Sequence, residues 1–414
     1  MTQPTLIRRL GVVDATLLGV GSMLGAGVFA VFAPAAAAAG TGLLIGLALA
    51  ALVAYCNATS SAQLAAQFPT SGGTYSYGRE MLGPWPGFLA GWGFMIGKTA
   101  SAAAMALTFA AYLVPPAWQR PVGIAAVIVL VGVNYFGITR TAQLTRIIVT
   151  AVLAVLVLVV LSNVSAFEAL PPVGANGPGG IYGTVQSTGL LFFAFAGYAR
   201  IATMGEEVRD PQRTIPRAIG LALGIVAVIY AVLGFTLLAV LDLDALATSR
   251  APLVDAVSAG PWAGWLTPIV RVGAALAALG ALLALFGGLG RTGLAMARNR
   301  DLPAPLAAVH PVHRVPHRAE LTVAAVVIVL VALFDLRGVI GFSSFGVLLY
   351  YFVANLSAHR QRGEHRRYPR ALQVLGAVLC PLLVITLPWQ SVLAGVGVFV
   401  VGVGFRLIRL RSAA

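Results

Sequence analysis

Acidic residues are scarce in this chain: 13 aspartates and glutamates stand against 27 basic residues, and only one of those, Lys98, is a lysine. With 10% of its 414 residues charged and 59% hydrophobic, the chain has too little polar side chain to cover a water-soluble core. Cysteine is nearly absent, and Cys56 and Cys380 both fall in or beside apolar runs, which excludes a disulfide framework. Of the five histidines, those at 310, 313 and 317 alternate with prolines and arginines and lack cysteine or acidic co-ligands, so no metal is expected. An HExxH pair, a nucleotide-binding loop and a nucleophile with a histidine beside it are also missing, which removes the reagents of an enzyme.

What is present is apolar sequence, with a mean hydropathy of +0.91. Runs near 12–39, 42–66, 85–114, 121–138, 147–163, 184–204, 216–240, 264–289, 319–334, 338–357, 372–387 and 391–408 predict an all-α membrane protein with twelve spans. Most approach the ~20 residues a bilayer demands, 319–334 and 372–387 being the short ones. The first run is too long for the h-region of a cleaved signal and is expected to stay in the mature protein.

A net charge of +14 would suggest nucleic acid in a soluble domain, but placement explains it better. With the N-terminus inside, 21 arginines fall on the inner side and only Arg120, Arg250 and Arg337 on the outer. That bias follows the positive-inside rule and predicts cytoplasmic termini in a cell-membrane protein whose surroundings are lipid, with no nucleic-acid partner.

No linker or low-complexity tract divides the chain, so 1–414 reads as one transmembrane domain. Its first run carries Gly21-Ser-Met-Leu-Gly-Ala-Gly27-Val-Phe29, three glycines where a membrane helix can break. Backbone groups freed in hydrocarbon are tolerated only where protein or a polar cavity satisfies them, so such a break marks a binding site. A second interrupted run, Leu190-Leu-Phe-Phe-Ala-Phe-Ala-Gly197-Tyr198-Ala199-Arg200, is sixth in order. Five is odd, so units of five spans run in opposite senses: an inverted repeat of about 12–163 and 184–357, with the two breaks facing each other and the runs over 372–408 left outside it. Glycine also permits close helix packing, which would account for either break taken alone.

These motifs, together with Phe68-Pro-Thr-Ser-Gly-Gly-Thr-Tyr-Ser-Tyr77, Gly205-Glu-Glu-Val-Arg-Asp-Pro-Gln-Arg-Thr-Ile-Pro-Arg217 and Arg291-Thr-Gly-Leu-Ala-Met-Ala-Arg-Asn-Arg-Asp-Leu-Pro303, resemble bacterial amino acid permeases of the amino acid-polyamine-organocation family over nearly the whole chain. The resemblance implies a LeuT-like 5+5 fold with broken helices 1 and 6 plus two peripheral helices. It implies secondary active transport of amino acids, with no cofactor beyond H+ as a candidate coupling ion. It places the substrate α-carboxylate at the N–H groups of Ala26 and Gly27, the α-ammonium near the carbonyls of Ser22 and Met23, and helix 6 aromatics such as Phe193 and Phe195 over the site. Gly25 belongs to the same break, where a side chain would obstruct the approach. An amino-acid zwitterion suits a broken helix on physical grounds, since the half-helix ends carry partial charges of opposite sign.

Three basic residues remain for the membrane interior: Lys98, Arg200 and Arg271. Lys98 lies near the middle of its span, where an unpaired charge is costly, and is the candidate both for lining the site and for proton coupling. Ile96-Gly97-Lys98 resembles the family's cavity-lining segment of helix 3. Some proton-coupled relatives instead carry a lysine in helix 5, where residues 147–161 here hold no ionisable group. Arg200 follows the second break at Gly197 and reads equally as a substrate contact or as a residue turned toward loop carbonyls; Arg271 is expected to snorkel outward. Ala199 stands where relatives that handle cationic amino acids can have an acid. With Lys98 and Arg200 nearby, neutral or acidic amino acids are favoured. Asp14, Arg79, Glu80, Glu206, Glu207 and Arg209 are candidates for inner-gate ion pairs. The alternatives are an exchanger, an exporter or a cationic amino acid or polyamine permease, and more remotely an ion channel or membrane enzyme.

Overall fold

The apolar runs fold as helices. The computed structural model describes residues 10–25, 27–69, 72–136, 142–169, 174, 177–205 and 207–411, and their regular structure is helical throughout apart from one bridge between Leu10 and Val208. In chain order the helices are α1 (Val12–Leu24), α2 (Gly27–Ala30), α3 (Phe32–Ala39), α4 (Leu43–Gln67), α5 (Gly73–Leu82), α6 (Pro84–Leu113), α7 (Gln119–Tyr135), α8 (Ala142–Leu161), α9 (Gly180–Phe195), α10 (Ala199–Ala202), α11 (Pro211–Val240), α12 (Leu243–Thr248), α13 (Pro252–Ser258), α14 (Ala263–Arg298), α15 (His317–Leu333), α16 (Leu336–His359), α17 (Arg370–Thr386) and α18 (Trp389–Arg411). Nine helical stretches among the described residues are long and apolar enough to cross a membrane, which makes this a multi-pass membrane protein. The spans expected at 184–204, 319–334 and 372–387 coincide with α9, α15 and α17, which at 16, 17 and 17 residues fall below that length.

Helix starts follow backbone chemistry. Pro84 and Pro211 open α6 and α11, where the N–H that proline lacks would have had no helical partner. The Asp335 carboxylate caps α16 by accepting from the Gly338 N–H at 2.8 Å.

Between helices in lipid, close fit replaces the hydrophobic drive, so small residues decide who packs on whom. α6 lies along α16 and α14, α1 against α11 and α8, and α4 against α9 and α11. At the α6–α16 seam a Cβ on Gly97 would come within 2.9 Å of the Ser343 carbonyl, and the Ser101 and Ser343 hydroxyls share a hydrogen bond of 2.7 Å. On the far side of α16, Asn355 donates to Asn57 Oδ1 and accepts from the Ser60 hydroxyl, each at 2.6 Å. The buried Cys380 thiol donates to Asn57 at 3.5 Å. Both cysteines are free.

Candidate functional site

The first break is narrow. α1 stops at Leu24, Gly25 leaves helical geometry (φ −45°, ψ −113°), and helix resumes at Gly27. Ala26, expected to offer its N–H to substrate, lies outside the described residues. Close approach dictates the glycines: a Cβ added to Gly27 would lie 2.8 Å from Ala194 Cα, and one on Gly25 2.4 Å from Ala281 Cβ. α9 gives way after Phe195 to a tighter turn over Ala196–Tyr198 and then to the short α10. Gly197 abuts the other break, since a Cβ there would meet the Ser22 carbonyl oxygen at 2.4 Å and the Met23 nitrogen at 2.6 Å. The two breaks therefore face each other at backbone contact, as their spacing predicts.

A broken helix leaves carbonyls without their i+4 partners, and in hydrocarbon each must be satisfied by protein. Four distant side chains do this. The Tyr230 hydroxyl on α11 lies 2.7 Å from the Met23 carbonyl and 3.1 Å from that of Ala194. The Tyr112 hydroxyl on α6 donates to the Phe29 carbonyl at 2.9 Å. Lys98 donates from Nζ to the Ala196 carbonyl at 3.1 Å, with the Tyr351 hydroxyl 3.5 Å from the same oxygen. Sequence reasoning finds Lys98 and misses the tyrosines, although a hydroxyl inside an apolar span is itself a sign that a buried acceptor waits for it.

Two cavities flank the breaks and share Ser22, Arg200 and Arg291 in their walls. One, of about 90 Å³, adds Lys98, Phe94 and Gly197; the other, of about 180 Å³, adds Gly21, Asn134 and Thr145. Of the expected site residues, the fold thus gathers Ser22, Lys98, Gly197 and Arg200. Met23, Gly25, Gly27, Phe193 and Phe195 line neither cavity. Met23 offers its carbonyl to Tyr230, the two glycines pack against α14 and α9, and the Phe195 ring meets that of Tyr230 at 5.0 Å. Phe193 is buried, and Phe192 packs edge-on against Tyr351. Arg291 enters unexpectedly: α14 continues to Arg298, beyond the run that ends near 289, and so carries Arg291 into the cavity wall.

No carboxylate of a described residue lies within ion-pair distance of the three interior cations. Lys98, only 8% exposed, has the Ala196 carbonyl. Arg200 is half-buried, and its guanidinium hydrogen-bonds to no described residue. Arg271, expected to snorkel outward, is half-buried and donates to the Tyr112 carbonyl at 3.0 Å, near the C-terminal end of α6, where a cation suits the exposed carbonyls.

Ion pairs gather instead at the arginine-rich end of the bundle. Asp14 pairs with Arg146 (Nε at 2.8 Å), and Glu207 with Arg291 at 3.9 Å; Glu206 lies outside the described residues. Buried Asp301 accepts from Arg79 at 3.0 Å, from the Tyr75 hydroxyl at 2.8 Å and from Arg406 of α18, whose guanidinium also lies over Trp85 and Phe88. Burial and then the Asp301 carboxylate push the Tyr75 phenol above its ordinary pKa, which keeps it a donor. At the same end His310, His313 and His317 cluster around the Tyr135 ring.

The motifs far apart in sequence meet here. A Cβ on Gly205 would touch the Pro69 backbone at 2.6 Å, the Tyr77 hydroxyl donates to the Ala202 carbonyl at 3.1 Å, and Tyr75 reaches Asp301 of the segment at 291–303. Comparison with known proteins agrees with that convergence. A family model described as amino acid permease matches residues 10–406. The chain is 55% identical over 412 residues to an uncharacterized transporter of Mycobacterium tuberculosis, covering 98% of this chain and 93% of the relative. It is 26% identical over 428 residues to the branched-chain amino acid permease BcaP of Bacillus subtilis, covering 94% and 90% of the two chains. It is 30% identical over 388 residues to cationic amino acid transporter 4 of Homo sapiens, covering 85% and 60%. This is a transporter and not an enzyme, and the chain belongs to the amino acid permease family.

Proposed function

We propose that this protein is a secondary active transporter that carries amino acids across the cytoplasmic membrane by alternating access, with neutral and acidic amino acids favoured. The observation that carries this reading is the pair of broken helices in backbone contact beside a polar cavity, inside an otherwise apolar bundle. On this reading the scaffold is LeuT-like, with inverted repeats over 12–163 and 184–357, two peripheral helices over 372–408, twelve crossings and both termini cytoplasmic. The substrate carboxylate meets the N–H groups of Ala26 and Gly27. The ammonium meets the Ser22 carbonyl and shares Met23 O with the Tyr230 hydroxyl, a carbonyl having two lone pairs.

Alternating access needs parts that move together. The Leu10–Val208 bridge, with Leu10 N donating to Glu207 O at 3.1 Å and Arg209 N to Leu10 O at 2.9 Å, ties the start of α1 to the segment after α10. Joined there and at Gly197, the two half-helices move as one body between open and closed states. Lys98 couples that motion to protons: binding and loss of a proton at Nζ strengthens and weakens its bond to the Ala196 carbonyl, and so biases the second break.

Relatives are named for branched-chain and for cationic amino acids, so their names do not narrow the substrate. The cavity walls do, since among described residues they hold Lys98, Arg200 and Arg291 and no acid to receive a cationic side chain. The test is counterflow in proteoliposomes across all proteinogenic amino acids and several polyamines at two pH values. Saturable exchange of neutral or acidic amino acids is expected; unsaturable conductance, or exchange confined to arginine, lysine and polyamines, would overturn the proposal.

A further inference from the structure

Three observations point the same way along the path through the bundle. Arg200 stands in the wall common to both central cavities, half-buried, and its guanidinium hydrogen-bonds to no described residue; the Glu207 carboxylate attracts it only from beyond ion-pair distance, while Arg291 repels it. Its cationic neighbours are engaged: Lys98 by the Ala196 carbonyl, Arg291 by the Gly287 carbonyl at 3.1 Å and by Glu207 at 3.9 Å. Of the three, Arg200 is the one whose whole guanidinium fork is left to offer a ligand, hydrogen-bonding to no described residue. An arginine withdrawn from water without a partner is costly, and a carboxylate binding its planar fork in bidentate fashion removes that cost.

The opposite end of the bundle repeats the pattern. The three arginines that the sequence sets apart from the other basic residues, Arg120, Arg250 and Arg337, all line one vestibule of about 710 Å³, whose wall also includes Ala30 and Pro34 just beyond the first break. Its single acid, Asp335, is engaged in capping α16 through the Gly338 N–H. Arg250 donates to the neutral Gln119 side chain at 3.3 Å, which leaves its charge uncompensated. With three arginines against one aspartate the vestibule carries an excess of positive charge, which concentrates anionic ligands.

We infer that the substrate is an acidic amino acid, with Arg200 as the residue that reads its side-chain carboxylate and the arginine-lined vestibule as the funnel that gathers it. This rests on the amino acid transporter reading above and narrows it. A zwitterion's α-carboxylate and α-ammonium are both provided for at the first break; Arg200 serves a second carboxylate, which neutral amino acids do not have. Glutamate and glutamine differ in that one charge at nearly equal size, so the pair isolates the contribution of Arg200.

The experiment is equilibrium competition on the purified, detergent-solubilised protein with glutamate, aspartate, glutamine, asparagine, alanine and leucine, repeated with Arg200→Gln and Arg200→Lys. The parent is expected to bind glutamate or aspartate at least about tenfold more tightly than its amide, a loss in line with removing one charge-assisted pair. Arg200→Gln should erase that preference while leaving alanine within about threefold, and Arg200→Lys should restore part of it. Equal or tighter binding of the amides by the parent overturns the inference and leaves the transporter reading standing, and this arm needs no variant to fold. Equal weakening of alanine and glutamate by Arg200→Gln also overturns it, because Arg200 would then meet the shared α-carboxylate or serve the fold. Binding of no amino acid by the well-folded parent would instead overturn the amino acid reading itself. For the funnel, Arg250→Gln with Arg337→Gln should slow glutamate uptake into proteoliposomes severalfold at low salt, less at high salt, and leave alanine uptake unchanged. Equal slowing of both substrates would remove the vestibule from the inference.

Discussion

The two helix breaks solve the same problem with different chemistry. At the first, glycines let α2 approach α9, and neutral hydroxyls of Tyr230 and Tyr112 reach the carbonyls of Met23 and Phe29. At the second, the freed carbonyl of Ala196 is met by an ammonium, with only a distant hydroxyl from Tyr351 beside it. Held by hydroxyls and by close backbone packing, the first break is the fixed cradle of the proposed mechanism. On the proposed proton coupling, the ammonium of Lys98 makes the second break the responsive one. The proposal thus predicts rigid geometry in one half of the site and adjustability in the other.

That contrast can be broken outright at the contact between the breaks. Gly197→Leu would drive a side chain into the Ser22 and Met23 backbone, which cannot give way as a flexible side chain can. We expect uptake to fall by more than about 100-fold together with a lower thermal midpoint, since overpacking typically costs about 1–3 kcal/mol or more. Gly132→Leu is the control, because a Cβ at Gly132 meets nothing within 4 Å. Normal uptake by the Gly197 variant would show that the breaks need not touch.

The next largest effect should separate the breaks by function. Lys98→Met removes the titratable donor, so accumulation driven by a pH gradient should drop about tenfold or more while counterflow of bound substrate persists. A methionine variant that concentrates substrate as well as the parent would leave both breaks fixed and Lys98 structural. Tyr230→Phe sharpens the comparison from the other side. It strips the Met23 and Ala194 carbonyls of a donor at a cost of about 1–3 kcal/mol, visible as a lower thermal midpoint, yet the response to a pH gradient should be retained. Loss of pH response in that variant would assign coupling to the wrong break. The smallest effect belongs to Arg146→Ala: this residue, with a side chain 53% exposed, pairs with Asp14 of α1. Such pairs contribute about 0–1 kcal/mol, so uptake should stay within about twofold; a large loss would mean that this pair is a gate.

Much of this comparison was legible in the sequence where the signal was local. Glycine spacing located the first break and a lone glycine followed by an arginine the second, the odd interval between them predicted that they face each other, and the rarity of lysine singled out Lys98. What escaped were partners chosen by tertiary packing. Tyr230 and Met23 are separated by 207 residues, Tyr112 and Phe29 by 83, and no periodicity connects them. The acceptor of Arg271, a helix-terminal carbonyl, has no side-chain signature and so could not be named beforehand. Arg291 was hidden by a helix that continues past its apolar run, since hydropathy marks the hydrocarbon and not the end of the hydrogen-bonded turn. The aromatics of α9 misled in the opposite direction: Phe195 lies in an apolar run beside a break, yet faces Tyr230 and not the cavity.

Asp301 sets a constraint on how the protein is made. Arg79 is synthesised well before it, whereas Arg406 follows 105 residues later, about 5–20 s behind at ordinary elongation rates. During that interval a carboxylate destined for burial has one of its two arginines, and the aromatic wall of Trp85 and Phe88 lacks the guanidinium that covers it. Arrival of α18 closes the site, so the last helix reports that the loop after α14 has found α5. Ribosome-bound chains stopped before 389 should therefore be cut by added protease between 299 and 316 faster than complete chains are; equal rates in both would show that Asp301 is secured without its final partner.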